Sequence, residues 1–392
     1  MKILVALPRF PHPIDKGDKL RAFNQIRCLS QHHDIYLFCT SNQWVSDDDF
    51  HAVEQYCKAV KVVHYSRLGA GWNVIRALFS KKSLQVGYWT SKRTIKKFRK
   101  FEKKVQPDVL YCQMIRTMEW VKGSTTPKVL DFQDALSKNI ERRMYHSRFW
   151  WRRVMHYEFK MVRSCEYDAF DIFDALTIIS ETDKDVIPHR RSDEIVVVPN
   201  GIDTAYFAPL EVEKRYDIVF CGNMKYAPNV DAAKYLVNDI MPKVWKAMPE
   251  TRVLMSGTNP TKTVKRLASE RVTVSGRVDD IRQSYAQSRL FVAPMRMGSG
   301  MQNKLLEAMA MRLPCITTAI ASTPLGVSNG QQLAVADNAA QIAEKIVELL
   351  KNQQLSTEIA QNGYSYVTAN FDWQKRCAEL EKVLSNTVNN KK

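Results

Sequence analysis

Short apolar runs alternate with longer stretches of helical periodicity along most of this 392-residue chain, and this alternation restricts the fold more than any other feature. A short apolar run that leads into a helix is typical of a buried parallel strand. The alternation therefore predicts an α/β fold on parallel sheets, and the length provides for two domains with separate cores. Strands are predicted at 2–7, 34–40, 60–65, 109–112, 128–132, 175–179 and 195–198, with further strands beginning near residues 216, 252, 272, 290 and 314.

The predicted boundary between the domains follows the strand at 195–198. Pro199 ends that strand, and Asn200-Gly201 predicts a tight turn. Residues 204–216 are predicted to be a linker, because they combine a proline with several charges. The predicted domains are thus 1–203 and 217–370, followed by a final helix within 371–392. Other predicted helices are a long one over about 139–170 and a pair at about 338–351 and 354–370.

Residues 290–318 hold the strongest candidate for a ligand-binding loop. A buried strand is followed by a glycine-bearing turn, a helix over about 302–312 and a second strand. Ligands of open α/β sheets bind at the carboxyl ends of strands, and a helix N-terminus favours phosphate. Lys304 would add a cation, and Glu307 would lie on the same helical face. The alternative is an ordinary helix start with a surface Lys–Glu pair. The loop residues are Gly298, Ser299, Gly300, Met301, Gln302 and Asn303.

These motifs resemble those of family-4 retaining glycosyltransferases of the GT-B fold, in particular the bacterial exopolysaccharide and exosortase-associated group. The resemblance is carried by Glu307-Ala-Met-Ala, by Pro199-Asn-Gly-Ile-Asp203 and by the Gly-Arg-Val-Asp-Asp run at 276–280. Two positions depart from the family pattern. Ser299 stands where relatives place a first Glu, and Gln133-Asp134 stands where many place a His-Asp pair. Asp131 and Asp134 are expected to face the cleft, at the carboxyl end of the strand at 128–132; the alternative is that Asp134 is the N-cap of the following helix.

The resemblance implies two Rossmann-like domains that face each other across a cleft, with the final helix crossing back to the N-terminal, acceptor-side domain. It implies a nucleotide-diphosphate-sugar as donor substrate, UDP or GDP not resolved, with no cofactor and no bound metal. Glu307 would hold the ribose, while Lys304 and Lys225 would neutralise the diphosphate and Asp134 would face the cleft. The remaining donor contacts would come from Gly17, Gly222 and Asn223, from Arg277 and Val278 beside the base, and from the loop at 298–303.

Two other functions remain open from the sequence. A nucleotide-sugar epimerase on the same fold would need no acceptor, although no acid/base carboxylates are evident near the loop. A non-catalytic, membrane-associated assembly partner would explain Ser299 and the missing histidine, and it would bind no nucleotide-sugar. If the chain is a glycosyltransferase, as the resemblance implies, the acceptor is a glycan or a lipid-linked precursor, and the sugar is transferred with retention.

Positive charge is concentrated in the segment 58–104. The chain has a net charge of +17, and this segment holds 14 Lys and Arg against one acid, Glu102, interleaved with apolar and aromatic residues. Such a basic amphipathic segment predicts an anionic membrane surface or an acidic acceptor as partner; the alternative is a solvated helical face. Nucleic acid is not predicted as a partner, since no nucleic-acid motif accompanies the charge.

The expected location is cytoplasmic, peripheral to the inner face of the plasma membrane. No apolar run of 18 residues or more occurs, and the N-terminal apolar stretch is short for a signal peptide. The scattered cysteines, without a C-x-x-C, predict reduced core thiols and no zinc site.

Overall fold

A computed structural model describes residues 1–145, 149–297 and 301–391, and it divides the chain into two compact units. The first unit comprises Met1–Pro199 together with Trp373–Lys392, and the second comprises Asn200–Asp372. The division therefore comes earlier than the predicted boundary at residue 203, because the turn at 200–203 belongs to the second unit.

The first unit is built on a parallel sheet, which has seven strands in the described part of the chain. The strands are β1 (Lys2–Leu7), β2 (Asp34–Ser41), β3 (Ala59–His64), β4 (Val109–Gln113), β5 (Lys128–Asp131), β6 (Ala175–Ile178) and β7 (Val196–Val197). Their order is β3-β2-β1-β4-β5-β6-β7, which places β1 between β2 and β4. Residues 3–7 of β1 are at most 1% exposed, since a strand covered on both faces needs apolar side chains at successive positions.

Helices connect these strands, as the alternation predicted. They are α1 (Gly17–Leu29), α2 (Asp47–Glu54), α3 (Arg67–Phe79), α4 (Leu84–Trp89), α5 (Lys92–Val105), α6 (Met118–Val121), α7 (Leu136–Tyr145), α8 (Phe149–Ile172) and α9 (Glu181–Lys184). The single long helix predicted over 139–170 is wrong. That stretch contains two helices, α7 and α8, that pack against each other, and helical periodicity alone does not distinguish one long helix from a packed pair.

The second unit has a parallel sheet of six strands in its described residues, in the order β10-β9-β8-β11-β12-β13. The strands are β8 (Tyr216–Cys221), β9 (Val253–Ser256), β10 (Val272–Gly276), β11 (Ser288–Ala293), β12 (Cys315–Thr317) and β13 (Ala334–Val335). Only β13 was not predicted. The run around it, 333–336, has one β-branched residue and two alanines, whereas the equally short β7 lies in a run of four β-branched residues at 195–198. The helices are α10 (Ala227–Tyr235), α11 (Met241–Ala247), α12 (Lys262–Lys265), α13 (Ile281–Ala286), α14 (Asn303–Ala310), α15 (Ala319–Ser322), α16 (Ala339–Lys351) and α17 (Gln353–Asn370).

The last helix, α18 (Trp373–Asn389), belongs to the first unit and packs on α1. This confirms the predicted return of the C-terminal helix to the N-terminal domain. The segment predicted as a linker belongs to the second unit: the ammonium of Lys214 donates to the carbonyl oxygens of Ala286 and Ser288 at 2.8 and 2.9 Å. Among the described helices, none is both long enough and apolar enough to span a bilayer.

Candidate functional site

Three glycine turns lie together at the carboxyl edge of the second sheet. Gly222 and Gly257 follow β8 and β9, and Gly276 ends β10. The amide of Gly222 donates to Ser256 at 3.0 Å, and that of Gly257 donates to Gly276 at 3.0 Å. All three have positive φ, and a Cβ on Gly257 would lie 1.8 Å from the carbonyl oxygen of Gly222. The close backbone contact therefore requires glycine at 257. Because these turns lack side chains, a ligand at this edge of the sheet can approach their main chain.

Lys304 lies in the first turn of α14, beside the loop that follows β8. Its ammonium donates to Oδ1 of Asn229 at 2.5 Å and lies 4.8 Å from the centre of the Phe220 ring. Burial lowers the pKa of Lys304 to about 8, although Cys221 and Glu307 act in the opposite direction. A lysine with a lowered pKa and no carboxylate in ion-pair contact, among the described residues, is well suited to take up an anionic ligand.

Glu307 lies one turn further along α14 and is held by a buried tyrosine. The hydroxyl of Tyr285 donates to Oε2 of Glu307 at 2.7 Å, and Tyr285 is 0% exposed. Burial raises the pKa of Glu307, whereas the Tyr285 bond and the charge of Lys304 lower it. The carboxylate is thus fixed in orientation, as a group that must accept hydrogen bonds from a ligand requires.

The other predicted donor-binding residues of the second unit lie in the loops after β8 and β10, and they differ in exposure and in their hydrogen bonds. Asn223 closes a local turn within the loop between β8 and α10, because its Oδ1 accepts from the amide of Lys225 at 3.0 Å. The side chain of Lys225 is exposed, and its predicted role beside Lys304 in neutralising a diphosphate stays a prediction. Arg277 is exposed and Val278 half-buried, in the turn between β10 and α13.

The start of α14 carries the remaining predicted residues. Gln302 occupies the N-cap position, but its side chain forms no capping hydrogen bond, so the first amides of α14 are not bound by that side chain. Met301 packs partly on the core, and Oδ1 of Asn303 accepts from the side chain of Asn200 at 3.1 Å. The predicted contacts of Gly298, Ser299 and Gly300 lie outside the described residues.

Sequence analysis missed two residues of this site, Asn229 and Tyr285. Asn229 bridges the loop and the lysine: its Nδ2 donates to the Asn223 carbonyl at 3.0 Å while its Oδ1 accepts from Lys304. A Cβ on Gly222 would lie 2.7 Å from that Nδ2, so Asn229 also explains the glycine. Neither residue had a signal in the sequence beyond being a polar side chain near a strand end, because each acts on a partner far along the chain.

In the first unit, the prediction that Asp131 faces a cleft is wrong. Asp131 is 0% exposed and accepts two hydrogen bonds from Arg21, from Nε at 2.6 Å and from Nη2 at 3.2 Å. Arg21 is also 0% exposed and lies within α1. Gly17 begins α1 and is exposed, with nothing within 4 Å of the position of a Cβ.

Asp134 is half-buried in a group of carboxylates at the start of α7. It accepts from the side chain of Asn139 at 3.4 Å. The alternative reading, that Asp134 caps the helix, is not supported by the bonds at this end. Oε1 of Glu166 accepts from the Ser137 amide at 2.9 Å, and Asp183 accepts from the Ala135 amide at 3.5 Å. Burial raises the pKa of Asp134 to about 7, with the nearby carboxylates as a further cause. Its role towards a ligand stays a prediction.

Replacing Asp134 with Asn is expected to stabilise the protein at pH 8 by about 1 to 3 kcal/mol, with the gain disappearing near pH 4. The folded protein keeps the Asp134 proton up to about pH 7, whereas the unfolded chain releases it near pH 4. The wild type therefore loses stability as the pH rises through this window, and the variant does not lose this contribution. Denaturant unfolding of both proteins from pH 4 to pH 8 measures the difference. A difference that does not change with pH would contradict the assigned cause.

Two helices of the basic segment 58–104, α3 and α5, have opposite environments. The apolar face of α5 is buried on the first sheet, with Phe98 0% exposed, and its lysines face solvent. In α3 most of the large apolar residues are exposed, whereas Ala70 and Ala77 are buried and Val74 is half-buried. We call the exposed apolar residues of α3 and of the first turn of α8 the aromatic surface. They are Leu68, Trp72, Ile75, Leu78, Phe79, Phe149, Trp150 and Trp151.

No group of three or more His, Cys, Asp or Glu side chains that could hold a metal ion occurs in the part of the chain that the structure describes.

Comparison with known proteins places this site within a recognised domain. Residues 215–352 match the family described as Glycosyl transferases group 1. A protein from the cps region of Klebsiella pneumoniae is 24% identical over 404 residues, covering 97% of this chain and 99% of the relative.

Among solved structures, HepE from Anabaena in complex with UDP-glucose is similar, with a TM-score of 0.71 and 14% identity over 98% of this chain and 100% of that one. Sucrose-phosphate synthase from Thermosynechococcus elongatus is similar with a TM-score of 0.70 and 13% identity, over 98% and 99% of the two chains. These likenesses confirm the predicted GT-B fold.

Proposed function

We propose that this chain transfers a sugar from a nucleoside-diphosphate-sugar to an acceptor hydroxyl, with retention of configuration, in the synthesis of a bacterial surface glycan. The observation that carries the proposal is the placement of Lys304 and Glu307 at the start of α14, inside the segment that matches Glycosyl transferases group 1. The relative from a cps region supports a role in polysaccharide synthesis, and the UDP-glucose bound to HepE supports a uridine donor as the first to test.

In this proposal the donor diphosphate lies at the N-terminus of α14. The Lys304 ammonium and the helix amides would stabilise the negative charge that develops on the leaving diphosphate. Lys225 would supply a second, mobile cation from the exposed loop after β8. We propose that these cations and the helix dipole neutralise the leaving diphosphate, so that the reaction needs no bound metal.

Glu307 would accept hydrogen bonds from the ribose hydroxyls. Tyr285 donates to one oxygen of the carboxylate and so orients the other for the ligand. The base would lie in the turn at 276–278, beside the main chain of Val278. Asp134 would face the reacting sugar or the acceptor. Retention would follow from a front-face reaction in which the leaving phosphate takes the proton of the acceptor hydroxyl.

Thermal unfolding with a panel of UDP-, GDP- and ADP-sugars tests the donor. A true donor at a hundred times its Kd is expected to stabilise the folded protein by about 2.7 kcal/mol, and the shift should be absent in Glu307→Ala. A shift with one nucleotide class names the base. Formation of a new sugar nucleotide without acceptor would favour an epimerase. The absence of any shift would contradict the proposal and favour a non-catalytic partner.

We further propose that the protein is cytoplasmic and docks on the inner face of the plasma membrane, through the aromatic surface. Trp72, Ile75 and Phe79 lie on one face of α3, flanked by the exposed Arg67 and Arg76. Aromatic side chains combined with arginines suit the interface of an anionic bilayer. The α5 lysines would add long-range attraction only, because the apolar face of that helix is buried in the core.

The variant Trp72→Ser/Phe79→Ser is expected to weaken binding to vesicles containing anionic lipid by about 10- to 100-fold, because each side chain contributes roughly 1 kcal/mol or more at the interface. Cosedimentation with vesicles measures the binding. The variant Lys96→Gln/Lys100→Gln on α5 is the matched control, and its smaller loss should vanish at high salt. Equal binding of wild type and Trp72→Ser/Phe79→Ser would exclude this surface.

A further inference from the structure

A cavity of about 400 Å³ lies in the first unit, between the loop after β1 and helices α3, α4, α7 and α8. Its walls combine apolar and aromatic side chains with three arginines. The arginines are Arg9, Arg116 and Arg143, and the apolar walls include Trp89, Trp151 and Met155. This combination is different from the donor site, which lies in the second unit.

Arg116 is the most informative of the three arginines. Its Nη2 donates to Oε1 of Gln85 at 2.6 Å, but its Nε is buried without any hydrogen-bond partner. None of the described carboxylates forms an ion pair with it. Burial, together with the charge of Arg9, lowers the pKa of Arg116 to about 10, although the charges of Asp18, Asp134 and Glu158 act in the opposite direction. The third nitrogen, Nη1, donates to Sδ of Met114 at 3.5 Å. A buried N–H without a partner is costly, and an anion in the cavity would give this guanidinium a charged partner.

The carboxylates nearest the cavity are already engaged. Glu158 lines the wall, but it accepts from the hydroxyl of Ser83 at 2.7 Å and from the amides of Leu84 and Gln85 at 2.7 and 3.0 Å. It therefore caps α4 and ties that helix to α8. Arg9 pairs with Asp18 at 3.1 Å and lies 5.4 Å from the Trp89 ring. Three arginines and one carboxylate, Glu158, line the cavity, so its lining has a net positive charge.

The apolar walls belong to the helices that carry the aromatic surface. Val74 of α3 and both Trp151 and Val154 of α8 line the cavity, and their sequence neighbours Trp72, Ile75 and Trp150 are exposed. A ligand with its anionic end at the arginines would thus have apolar side chains along its length. A free sugar phosphate would leave these walls unused.

We infer that this cavity binds the phosphate or diphosphate of an amphiphile, with the attached apolar chain running along α3 and α8. The inference rests on the proposed function in one respect, since it takes this amphiphile to be the sugar acceptor. Arginine forks match phosphate oxygens in geometry and charge, and the aromatic walls match the first part of a long-chain alcohol. The acceptor class is thereby a lipid-linked phosphate and not a soluble glycan.

Isothermal titration with farnesyl diphosphate, inorganic diphosphate and farnesol tests the inference in the absence of donor. Farnesyl diphosphate is expected to bind at least tenfold more tightly than either of the other two. Arg116→Gln should weaken that binding at least tenfold, whereas Arg163→Gln, an exposed arginine on α8, should not. Trp151→Ser, at an exposed position, should weaken farnesyl diphosphate but leave inorganic diphosphate unchanged.

UDP binding by the same proteins separates the two proposals. Arg116→Gln that matches the wild type in circular dichroism and in hydrogen exchange of β1 and β4 has kept the fold of the first unit, so its loss of farnesyl diphosphate, with UDP binding unchanged, supports the cavity. Wild-type protein that binds UDP but no farnesyl diphosphate would overturn this inference and leave the proposed function intact. Farnesyl diphosphate that competes with UDP would assign it to the donor site, and equal affinity for inorganic diphosphate would reduce the cavity to a phosphate site; both results contradict the inference.

Discussion

Lys304→Gln is expected to weaken UDP binding by about 10- to 150-fold, which corresponds to the 1.5 to 3 kcal/mol of a hydrogen bond to a charged group. If the diphosphate is the leaving group, turnover should fall further, by about 10²- to 10³-fold, because the charge on the phosphate grows in the transition state. Glutamine keeps much of the side-chain volume and can still meet Oδ1 of Asn229, so the change removes mainly the charge. Titration calorimetry and initial rates measure the two effects.

The pH dependence of UDP binding distinguishes a charged Lys304 from a structural one. The lysine has a pKa of about 8 without ligand, so above that pH binding requires uptake of a proton. Affinity of the wild type is therefore expected to fall by up to about tenfold for each pH unit above 8. Lys304→Gln should not show this fall, and Lys243→Gln, an exposed lysine on α11, should behave as the wild type. Parallel pH profiles for wild type and Lys304→Gln would rule out the assigned role.

Arg21→Met is expected to destabilise the first unit by about 3 to 5 kcal/mol. The substitution leaves the Asp131 carboxylate buried at 0% exposure without its bidentate partner, although Tyr111 lies 3.0 Å from one of its oxygens. The pair joins α1 to the end of β5, so the loss should affect the central strands. Denaturant unfolding measures the change, and hydrogen exchange in β1 and β5 assigns it to this unit.

A second variant shows whether the loss of stability comes from the unpaired charge of Asp131. In Arg21→Met/Asp131→Leu both charges are removed, and much of the lost stability should return. Arg93→Met, an exposed arginine of α5, serves as the control and should change stability by less than about 0.5 kcal/mol. A double variant as unstable as Arg21→Met would show that shape, and not the unpaired carboxylate, accounts for the effect.

Most of the fold could be predicted from the sequence, because a strand that is buried on both faces is a continuous run of apolar residues. The runs at 2–7 and 216–221 are apolar at nearly every position, and their order with helices dictates parallel sheets. Lys304 and Glu307 could be placed together for the same reason, since three residues bring side chains to one face of a helix. No comparable local pattern marked the two-residue strand β13 or the division of the helical stretch at 139–170 into α7 and α8.

What the tertiary structure alone decided is which polar and apolar groups meet. Arg21 binds Asp131, which is 110 residues away in the sequence, and Lys304 binds Asn229, which is 75 residues away, so no local pattern could predict either pair. In the same way α3 and α5 both carry basic and apolar residues, yet α5 buries its apolar face on the sheet while α3 leaves its own exposed. Periodicity determines that a helix forms and which residues share a face; long-range packing determines whether that face meets the core or solvent.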